Sequence, residues 1–166
     1  LLKHDMGLFA CHLPLDAHLT VGNNAVMAER LGMEEVEPFG AFKGLSIGVK
    51  GILPEPMTPE EVAVRLFGSA EVPIRILPFG KETVRTVGLI SGGAPRDAAT
   101  AAAEGLDLFI TGDAAHTVYH NCLESGINVM FAGHYATETW GVWKLSEKLR
   151  EDKGVETRFI DVPTGL

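Results

Sequence analysis

The sequence is poor in the features that mark membrane-spanning, secreted and nucleic-acid-binding proteins. It has two cysteines, Cys11 and Cys122, which is too few for a disulfide framework and typical of a reducing compartment. No apolar run approaches the length of a membrane span. Acidic residues outnumber basic ones by 22 to 14, and no basic cluster provides a footprint for nucleic acid. We therefore expect a cytoplasmic protein with neither a membrane nor a nucleic acid as partner.

The composition that is present favours one compact α/β domain. The 166 residues are 46% hydrophobic and include 19 glycines, enough for a single domain with its own core. From residue 84 onward, apolar strand patterns alternate with helical ones, which predicts a mixed, largely parallel sheet flanked by helices. The segment 45–90 is richer in strands and is a candidate for a smaller α+β lobe within the domain 1–166.

Hydrophobic periodicity and punctuation residues predict the individual elements. Thr58-Pro59-Glu60-Glu61 forms a capping box with proline at the first helical position. Residues 34–43 are predicted as a connecting segment with a strand near Val36, and residues 12–18 as a loop. The predicted strands are 8–11, 45–53, 72–78, 84–90, 106–110, 127–132 and 157–162. The predicted helices are 25–31 (capped by asparagine), 60–67, 98–104, a helix ending at 124, and 140–153.

Polar side chains follow three of the predicted strands. They form the pairs His12 and Asp16, Asp113 and His116, and His134 and Glu138. If these strands are parallel neighbours, the three pairs lie at one edge of the sheet, where α/β proteins bind ligands. Carboxylates and imidazoles together are the ligand set of hard or borderline metal ions. The sequence therefore predicts a shared metal cleft.

Each pair also has an ordinary structural explanation. His134 and Glu138 have the i,i+4 spacing of a helix-surface pair. If the helix begins near Ala136, His134 lies just before it and Glu138 in its first turn, and if it begins one turn earlier the two share one face; either start lets them converge on one point. Asp16 could serve as a turn or cap carboxylate. His116 and His120 have the same i,i+4 spacing but no third local ligand. Cys11 and His12 cannot form a nucleophile–base dyad, because adjacent strand residues point to opposite faces.

The turn Ser91-Gly92-Gly93 precedes the helix 98–104 and has two interpretations. Its free backbone N–H groups could hold an anion. It could equally be a tight strand-to-helix turn, since it lacks the established phosphate-loop patterns. The sequence leaves both open.

Several motifs, in order along nearly the whole chain, resemble those of the Nif-three-like family, whose members are often named homologues of GTP cyclohydrolase 1 type 2. His12-Leu13-Pro14-Leu15-Asp16-Ala17-His18 and Gly22-Asn23-Asn24 resemble its first signature. Residues 87–93 resemble its strand and Ser-Gly-Gly turn. Ile110-Thr111-Gly112-Asp113 resembles its I-T-G-E segment, with aspartate in place of glutamate. Ala132 to Glu138 resembles its A-G-H-x-A-T-E motif, and residues 159–163 its closing F-I-D-I-P.

The resemblance implies a Nif-three-like fold that assembles as a homohexamer, a trimer of dimers, around an internal cavity. It implies a dinuclear site with Asp16, His134 and Glu138 as metal ligands, and His12 as a weaker or supporting group. The ions expected are zinc, iron or manganese, two per subunit in the full-length protein. The family's upstream His-His pair is absent from this sequence, so the family's N-terminal part is expected to be missing.

Three functions are compatible with these residues. The first is a metal-dependent hydrolase of GTP cyclohydrolase type, acting on a nucleotide or phosphoester. A metal-bound water would be its nucleophile, and His12 and Asp113 would move protons. The second is a non-catalytic metal-binding or metal-trafficking ring. The third is a regulatory ring in which metal only stabilises the fold. Fold alone does not decide among them.

Overall fold

A computed structural model describes residues 1–70 and 74–164 as one mixed sheet with helices packed against it. The strands are β1 (Glu34–Phe42), β2 (Leu45–Met57), β3 (Arg75–Pro78), β4 (Val84–Ile90), β5 (Leu108–Thr111) and β6 (Asn128–Phe131). The helices are α1 (Leu13–Asp16), α2 (Asn23–Leu31), α3 (Pro59–Phe67), α4 (Ala98–Ala103), α5 (Tyr119–Ser125) and α6 (His134–Lys153). Short 3₁₀ turns cover Leu2–His4, Pro95–Asp97 and His116–Val118. Within this part of the chain, no helix combines the length and apolar character needed to cross a membrane.

The sheet has the order β1-β2-β4-β5-β6-β3 and is parallel only at its centre. The pairs β4–β5 and β5–β6 are parallel, and the other three are antiparallel. The mixed α/β sheet with flanking helices is therefore confirmed, but the expectation of a largely parallel sheet is corrected. The reason lies partly in β1 and β2, which a two-residue turn at Lys43-Gly44 joins, and such a turn permits only antiparallel pairing. The strands of the segment 45–90 all belong to this sheet.

Two apolar layers cover the faces of the sheet. Leu108 and Ile110 of β5 pack with Leu31, Leu53 and other residues on one face. On the other face, Phe109 packs with a second cluster of buried residues: Phe39, Ile90, Val118, Cys122 and Val129. Alternation along β5 sends neighbouring residues to opposite layers. Burial of each large side chain contributes about 1.5–3 kcal/mol, so both layers fix the central strands in place.

The amino ends of the central strands are joined by a polar network that we call the amino-edge clasp (Lys81, Asp107 and Asn128). Asp107 Oδ2 accepts from the backbone N–H groups of Arg85 and Thr86 at 2.9 and 3.0 Å. Its Oδ1 accepts from Lys81 Nζ at 2.7 Å. Asn128, buried in β6, accepts from Gly80 N–H and donates to the carbonyl oxygens of Lys81 and Asp107. The clasp therefore connects the turn before β4 to β5 and β6.

Local signals located several elements well. β4 has the predicted bounds 84–90. The capping box is present, since Thr58 N–H donates to Glu61 Oε2 at 2.8 Å and Glu61 N–H donates to Thr58 Oγ1 at 3.2 Å. The predicted strand 72–78 is observed as β3, while residues 71–73, including Pro73, lie outside the described residues. The segment 34–43, predicted as a connection, is strand β1 almost throughout.

Two predicted strands are wrong. Residues 8–11 and 157–162 form no strand. An apolar extended segment becomes a strand only where a neighbour supplies its backbone hydrogen bonds, and among the described residues no strand pairs with either segment. Phe9 and Ile160 are consequently 91% and 71% exposed. The loop predicted after His12 is also wrong, because Pro14 occupies the first turn of α1, where its missing N–H has no cost.

Candidate metal centre

Three side chains from separate parts of the chain place metal-ligating atoms at one point. One donor atom each from His12, Asp16 and Glu138 lies within 4.8 Å of the other two. His12 precedes α1, Asp16 ends it, and Glu138 lies in the second turn of α6. Asp16 is buried, Glu138 is partly buried and His12 is exposed, so the group is open to solvent on one side.

The spacing and chemistry of these donors fit a divalent ion. Metal–ligand bonds of about 2.0–2.2 Å place neighbouring ligand atoms roughly 3 to 4 Å apart. The observed limit of 4.8 Å requires only a small inward movement of side chains. One imidazole with two carboxylates suits zinc, iron or manganese. We find that His12, Asp16 and Glu138 can hold such an ion.

Two polar side chains orient the buried carboxylate of Asp16. Its Oδ1 accepts hydrogen bonds from Asn23 Nδ2 at 2.7 Å and from Ser91 Oγ at 2.9 Å. Because both bonds fall on Oδ1, Oδ2 remains the oxygen through which the carboxylate can bind an ion. Asn23 also accepts from the backbone N–H of Gly141 at 2.6 Å, which ties Asp16 to the middle of α6.

Asn24 connects the same region to the sheet. Its Nδ2 donates to the carbonyl oxygens of Asp16 and Ile47 at 3.2 and 2.7 Å, and its Oδ1 accepts from Ser91 N–H at 2.7 Å. Both asparagines are buried and neither caps α2, whose N-cap is Gly22. The capping interpretation of Asn23 and Asn24 is therefore wrong. Sequence reasoning missed their role, although two adjacent asparagines at a helix start were the available signal.

His134 and Glu138 share one face of α6 because this helix begins at His134, six residues before its predicted start. Gly133, at φ 91°, turns the chain directly from β6 into the helix. His134 Nδ1 lies 2.9 Å from Asp113 Oδ2, and its Nε2 lies 3.3 Å from Glu138 Oε2. Since an ionised carboxylate only accepts, the Nδ1 atom carries a proton and Nε2 faces Glu138.

Three carboxylates crowd this cleft. The hydrogen bond that His134 donates to Asp113 is the main cause that raises the pKa of His134, and the charge of Glu138 acts in the same sense. The pKa of Glu138 is also raised, first by burial and then by repulsion from Asp16 and Asp113, against the attraction of His134 and His12. Negative charge therefore accumulates where the donors converge, and a cation at that point would relieve the repulsion.

The turn after β4 leaves room for these side chains. A Cβ atom on Gly92, whose φ is +67°, would overlap Glu138 Oε1 and lie 3.1 Å from His134 Nε2. A Cβ atom on Gly93 would lie 2.6 Å from Asp113 Oδ2. Gly92 N–H donates to Thr137 Oγ1 at 2.9 Å, so α6 and the turn are held in contact. Of the two interpretations that the sequence left open, the tight turn matches the structure, and its tightness lets the ligand side chains approach.

The structure thus brings together most of the residues that the sequence singled out. Asp16 and Glu138 lie with His12, while His134 contacts Glu138 and Asp113 at the side of this group. His116 and His120 are exposed, and the His120 ring packs edge-on against Tyr119 at 5.4 Å. Ser91, which orients Asp16, belonged to the predicted turn but was not predicted as a contact of the site.

Comparison with known protein families shows to which family the chain belongs. Residues 1–165 match the family described as Duf34/NIF3 (NGG1p interacting factor 3). The chain belongs to the DUF34/NIF3 family. Two relatives named GTP cyclohydrolase 1 type 2 homolog agree with this assignment. The protein from Archaeoglobus fulgidus is 45% identical over 166 residues, covering 100% of this chain and 66% of that protein. The protein from Treponema pallidum is 40% identical over 199 aligned positions, covering 100% of this chain and 70% of that protein.

A solved structure shows the same fold. The structural-genomics protein ybgI, described as of unknown function, matches with a TM-score of 0.85 at 33% identity. The match covers 99% of this chain and 65% of ybgI. The chain therefore spans about two thirds of the length of the DUF34/NIF3 proteins that it matches.

Proposed function

We propose that this chain is a metal-dependent hydrolase-like protein that acts on a nucleotide or another phosphoester. One observation carries the proposal, namely the convergence of donor atoms from His12, Asp16 and Glu138 within 4.8 Å. They converge beside Ser91 and Gly92, directly after the central strand β4, at the edge of the sheet where α/β proteins bind ligands. The name of the relatives, GTP cyclohydrolase 1 type 2 homolog, supports a nucleotide substrate.

Zinc, iron or manganese would be held by His12, Asp16 and Glu138. A divalent ion there supplies a Lewis acid and a water of lowered pKa. In the proposed dinuclear form, a second ion would be held near Glu138, which lies close to both imidazoles, His12 and His134. Asn23 and Ser91 keep Asp16 aligned, as supporting hydrogen bonds commonly do for metal ligands.

Asp113 and His134 form the proposed route for a proton. Asp113 Oδ2 holds His134 Nδ1, and Nε2 of the same ring faces the cleft beside Glu138. An imidazole with one nitrogen fixed by a carboxylate can accept a proton at the other nitrogen, and it does so near neutral pH. In the proposal, Asp113 therefore keeps its predicted role in proton transfer, while His12, which was predicted to move protons, is instead proposed as a ligand because its donor atom lies within 4.8 Å of those of Asp16 and Glu138.

The test is to load the chain separately with zinc, manganese and ferrous ions, measure bound metal by mass spectrometry, and assay GTP and a panel of phosphoesters. We expect bound metal and turnover for the wild-type chain, and loss of both for Glu138→Gln. Glu124→Gln, which changes an exposed glutamate on α5, is the matched control and should keep both.

The outcomes separate the candidate functions. Turnover that Glu138→Gln leaves unchanged would overturn the hydrolase mechanism. Bound metal without turnover of any compound in the panel would favour the metal-binding or metal-trafficking alternative. A large fall in melting temperature on chelation, again without turnover, would favour a protein in which metal only stabilises the fold.

The proposal includes a homohexamer, a trimer of dimers, in the cytoplasm. Phe9 and Ile160 are apolar side chains that are 91% and 71% exposed, and an interface between subunits would cover them. Light scattering after size exclusion should give six times the chain mass of 17.8 kDa. A monomeric mass across the accessible concentration range would contradict the ring.

A further inference from the structure

A second cleft lies beside the first turns of α6, next to the pocket of the clustered carboxylates. It has a volume of about 750 Å³ and is bounded by α2, α3, α6 and the segment 159–163. We call it the Arg–Trp cleft. The residues that matter for its chemistry are Arg30, Arg65, Phe67, Tyr135, Trp140 and Phe159. No residue of the three-donor group lines it, so the two sites are distinct.

The Arg–Trp cleft is continuous with the candidate metal centre. Tyr135 and Thr139 line this cleft and also the neighbouring pocket that contains Asp113, His134 and Glu138. Tyr135 is held in place, because its hydroxyl donates to Asp161 Oδ1 at 2.5 Å and accepts from Val162 N–H at 2.8 Å. A ligand that fills the Arg–Trp cleft can therefore extend past a fixed ring to the metal centre.

The charge of the cleft is opposite to that of the protein. The whole chain has a net charge of −8. The lining of the cleft instead carries two guanidinium groups, Arg30 and Arg65, and one carboxylate, Asp161, which already accepts the Tyr135 hydroxyl. Clefts lined by one sign of charge concentrate ligands of the opposite sign. The chemistry of Arg30 and Arg65 matches phosphate, which guanidinium groups bind in a bidentate manner.

Aromatic rings form the rest of the wall. The guanidinium carbon of Arg30 lies 4.4 Å from the centroid of the Trp140 ring, and Phe67 tilts against the same ring at 6.3 Å. Trp140 Nε1 is buried without a hydrogen-bond partner among the described residues. Within that part of the chain, the indole ring is therefore held by packing and not by a hydrogen bond. A planar heteroaromatic ring packs well on such a surface.

We propose that the Arg–Trp cleft binds a nucleotide, with its ring against the aromatic wall of Trp140 and Phe159 and its phosphates on Arg30 and Arg65. This inference rests on the proposed function and specifies its substrate class. The two arginines give affinity for phosphate, the rings give affinity for the base, and Tyr135 and Thr139 form the passage to the metal centre. A compound with only one of the two groups would use half of the cleft.

The experiment measures binding by calorimetry in EDTA, so that metal plays no part. Three probes are compared. GTP carries both the ring and the phosphates, guanosine carries the ring alone, and tripolyphosphate carries the phosphates alone. We expect GTP to bind at least tenfold more tightly than either fragment. The double variant Arg30→Gln/Arg65→Gln should lose at least tenfold for GTP and keep the affinity for guanosine. Arg85→Gln, an exposed arginine on β4 outside the cleft, is the control and should bind like wild type.

Arg65 donates to the carbonyl oxygen of Leu31, so the double variant could affect folding. The single variant Arg30→Gln and the three wild-type measurements keep the test decisive. Equal affinity for GTP and guanosine, or an unchanged GTP affinity in Arg30→Gln, would overturn the inference. Its failure is distinguishable from that of the proposed function. Normal metal content and phosphoester turnover without GTP binding would reject only the cleft, and GTP binding without turnover would reject only the hydrolase.

Discussion

Gly92 is the residue at which backbone conformation and ligand geometry depend on each other most directly. We predict that Gly92→Ala weakens metal binding about 10- to 100-fold, the range seen when groups supporting a metal ligand are disturbed. The added Cβ would overlap Glu138 Oε1 and displace this ligand. The left-handed backbone at φ +67° adds about 1–2 kcal/mol of strain. Competition with a metal-sensitive dye measures the affinity.

Gly44→Ala separates the two effects. Gly44 has a similar left-handed backbone, φ +83°, but open space around the position of its Cβ. This control should lose stability by a similar backbone strain and keep its metal affinity. Equal metal affinity in Gly92→Ala and Gly44→Ala would show that the position of Glu138 does not depend on the turn.

Asn23 supports the metal centre by holding the carboxylate of Asp16. We predict that Asn23→Ala lowers the free energy of unfolding by about 1–3 kcal/mol, because it removes a buried side chain that bonds both Asp16 and Gly141. Metal affinity should fall as well, since Asp16 loses one of its two orienting donors. Urea unfolding and metal titration measure the two effects. Asn121→Ala, at an exposed asparagine of α5, should change neither.

For individual residues, the sequence predicted which side chains lie near the site but not which of them form the three-donor group. The strand pattern and the family resemblance together placed Asp16, His134 and Glu138 near one another, although the strand 8–11 that was expected before Asp16 does not form. They could not show that His12 completes the three-donor group while His134 turns toward Asp113. That division depends on side-chain rotamers and on competition between carboxylates for one imidazole, and neither leaves a pattern in the sequence.

Among the elements, α6 shows how the start of a helix determines which side chains of a site share one face. The apolar pattern from residue 140 predicted its later part, but the polar first turn carries no such pattern. The observed start at His134 follows from Gly133 and from the buried Thr137, which bonds the turn after β4. Strands 84–90 and 106–110 were predictable because most of their residues are apolar and buried. Segments 8–11 and 157–162 have the same apolar character, but they lack a neighbouring strand within the described residues.

The amino-edge clasp gives a prediction that depends on pH. Burial acts to raise the pKa of Asp107, but Lys81 and the N–H groups of Thr86 and Arg85 outweigh it and hold the pKa below its usual range. The ionised carboxylate therefore stabilises the folded state above the unfolded pKa of about 3.9, and this contribution is lost as pH falls through the lowered folded value. We predict that Asp107→Asn costs about 1 kcal/mol at pH 7.

Urea unfolding of both proteins across a pH series measures this difference. The two stabilities should converge as the pH falls below about 4, because the wild-type carboxylate then gains its proton. Glu82→Gln, at an exposed acid in the turn before β4, should show no such convergence. A stability gap that stays constant down to pH 2 would mean that charge on Asp107 contributes nothing.

The whole molecule should respond to metal because the donors join separate parts of the chain. His12 and Asp16 flank α1, whereas Glu138 belongs to α6. An ion that binds only the folded chain stabilises it by about 2.7 kcal/mol when free metal is a hundredfold above the dissociation constant. We predict that zinc or manganese raises the melting temperature, and that EDTA reverses the rise. Asp16→Asn should remove the response, and an equal rise in that variant would place the ion elsewhere.

The position of the amino-edge clasp has a consequence for how the sequence can vary. The ligand Glu138 follows the carboxyl end of β6, and Ser91, which orients Asp16, follows that of β4, while Lys81, Asp107 and Asn128 join the amino ends of β4, β5 and β6. We therefore expect substitutions in the clasp to act on protein abundance and substitutions of the ligands to act on chemistry. In a scan of all single substitutions, variants of the clasp residues should be present at lower levels in the cell. Variants of the ligand residues should be present at normal levels but have lower activity.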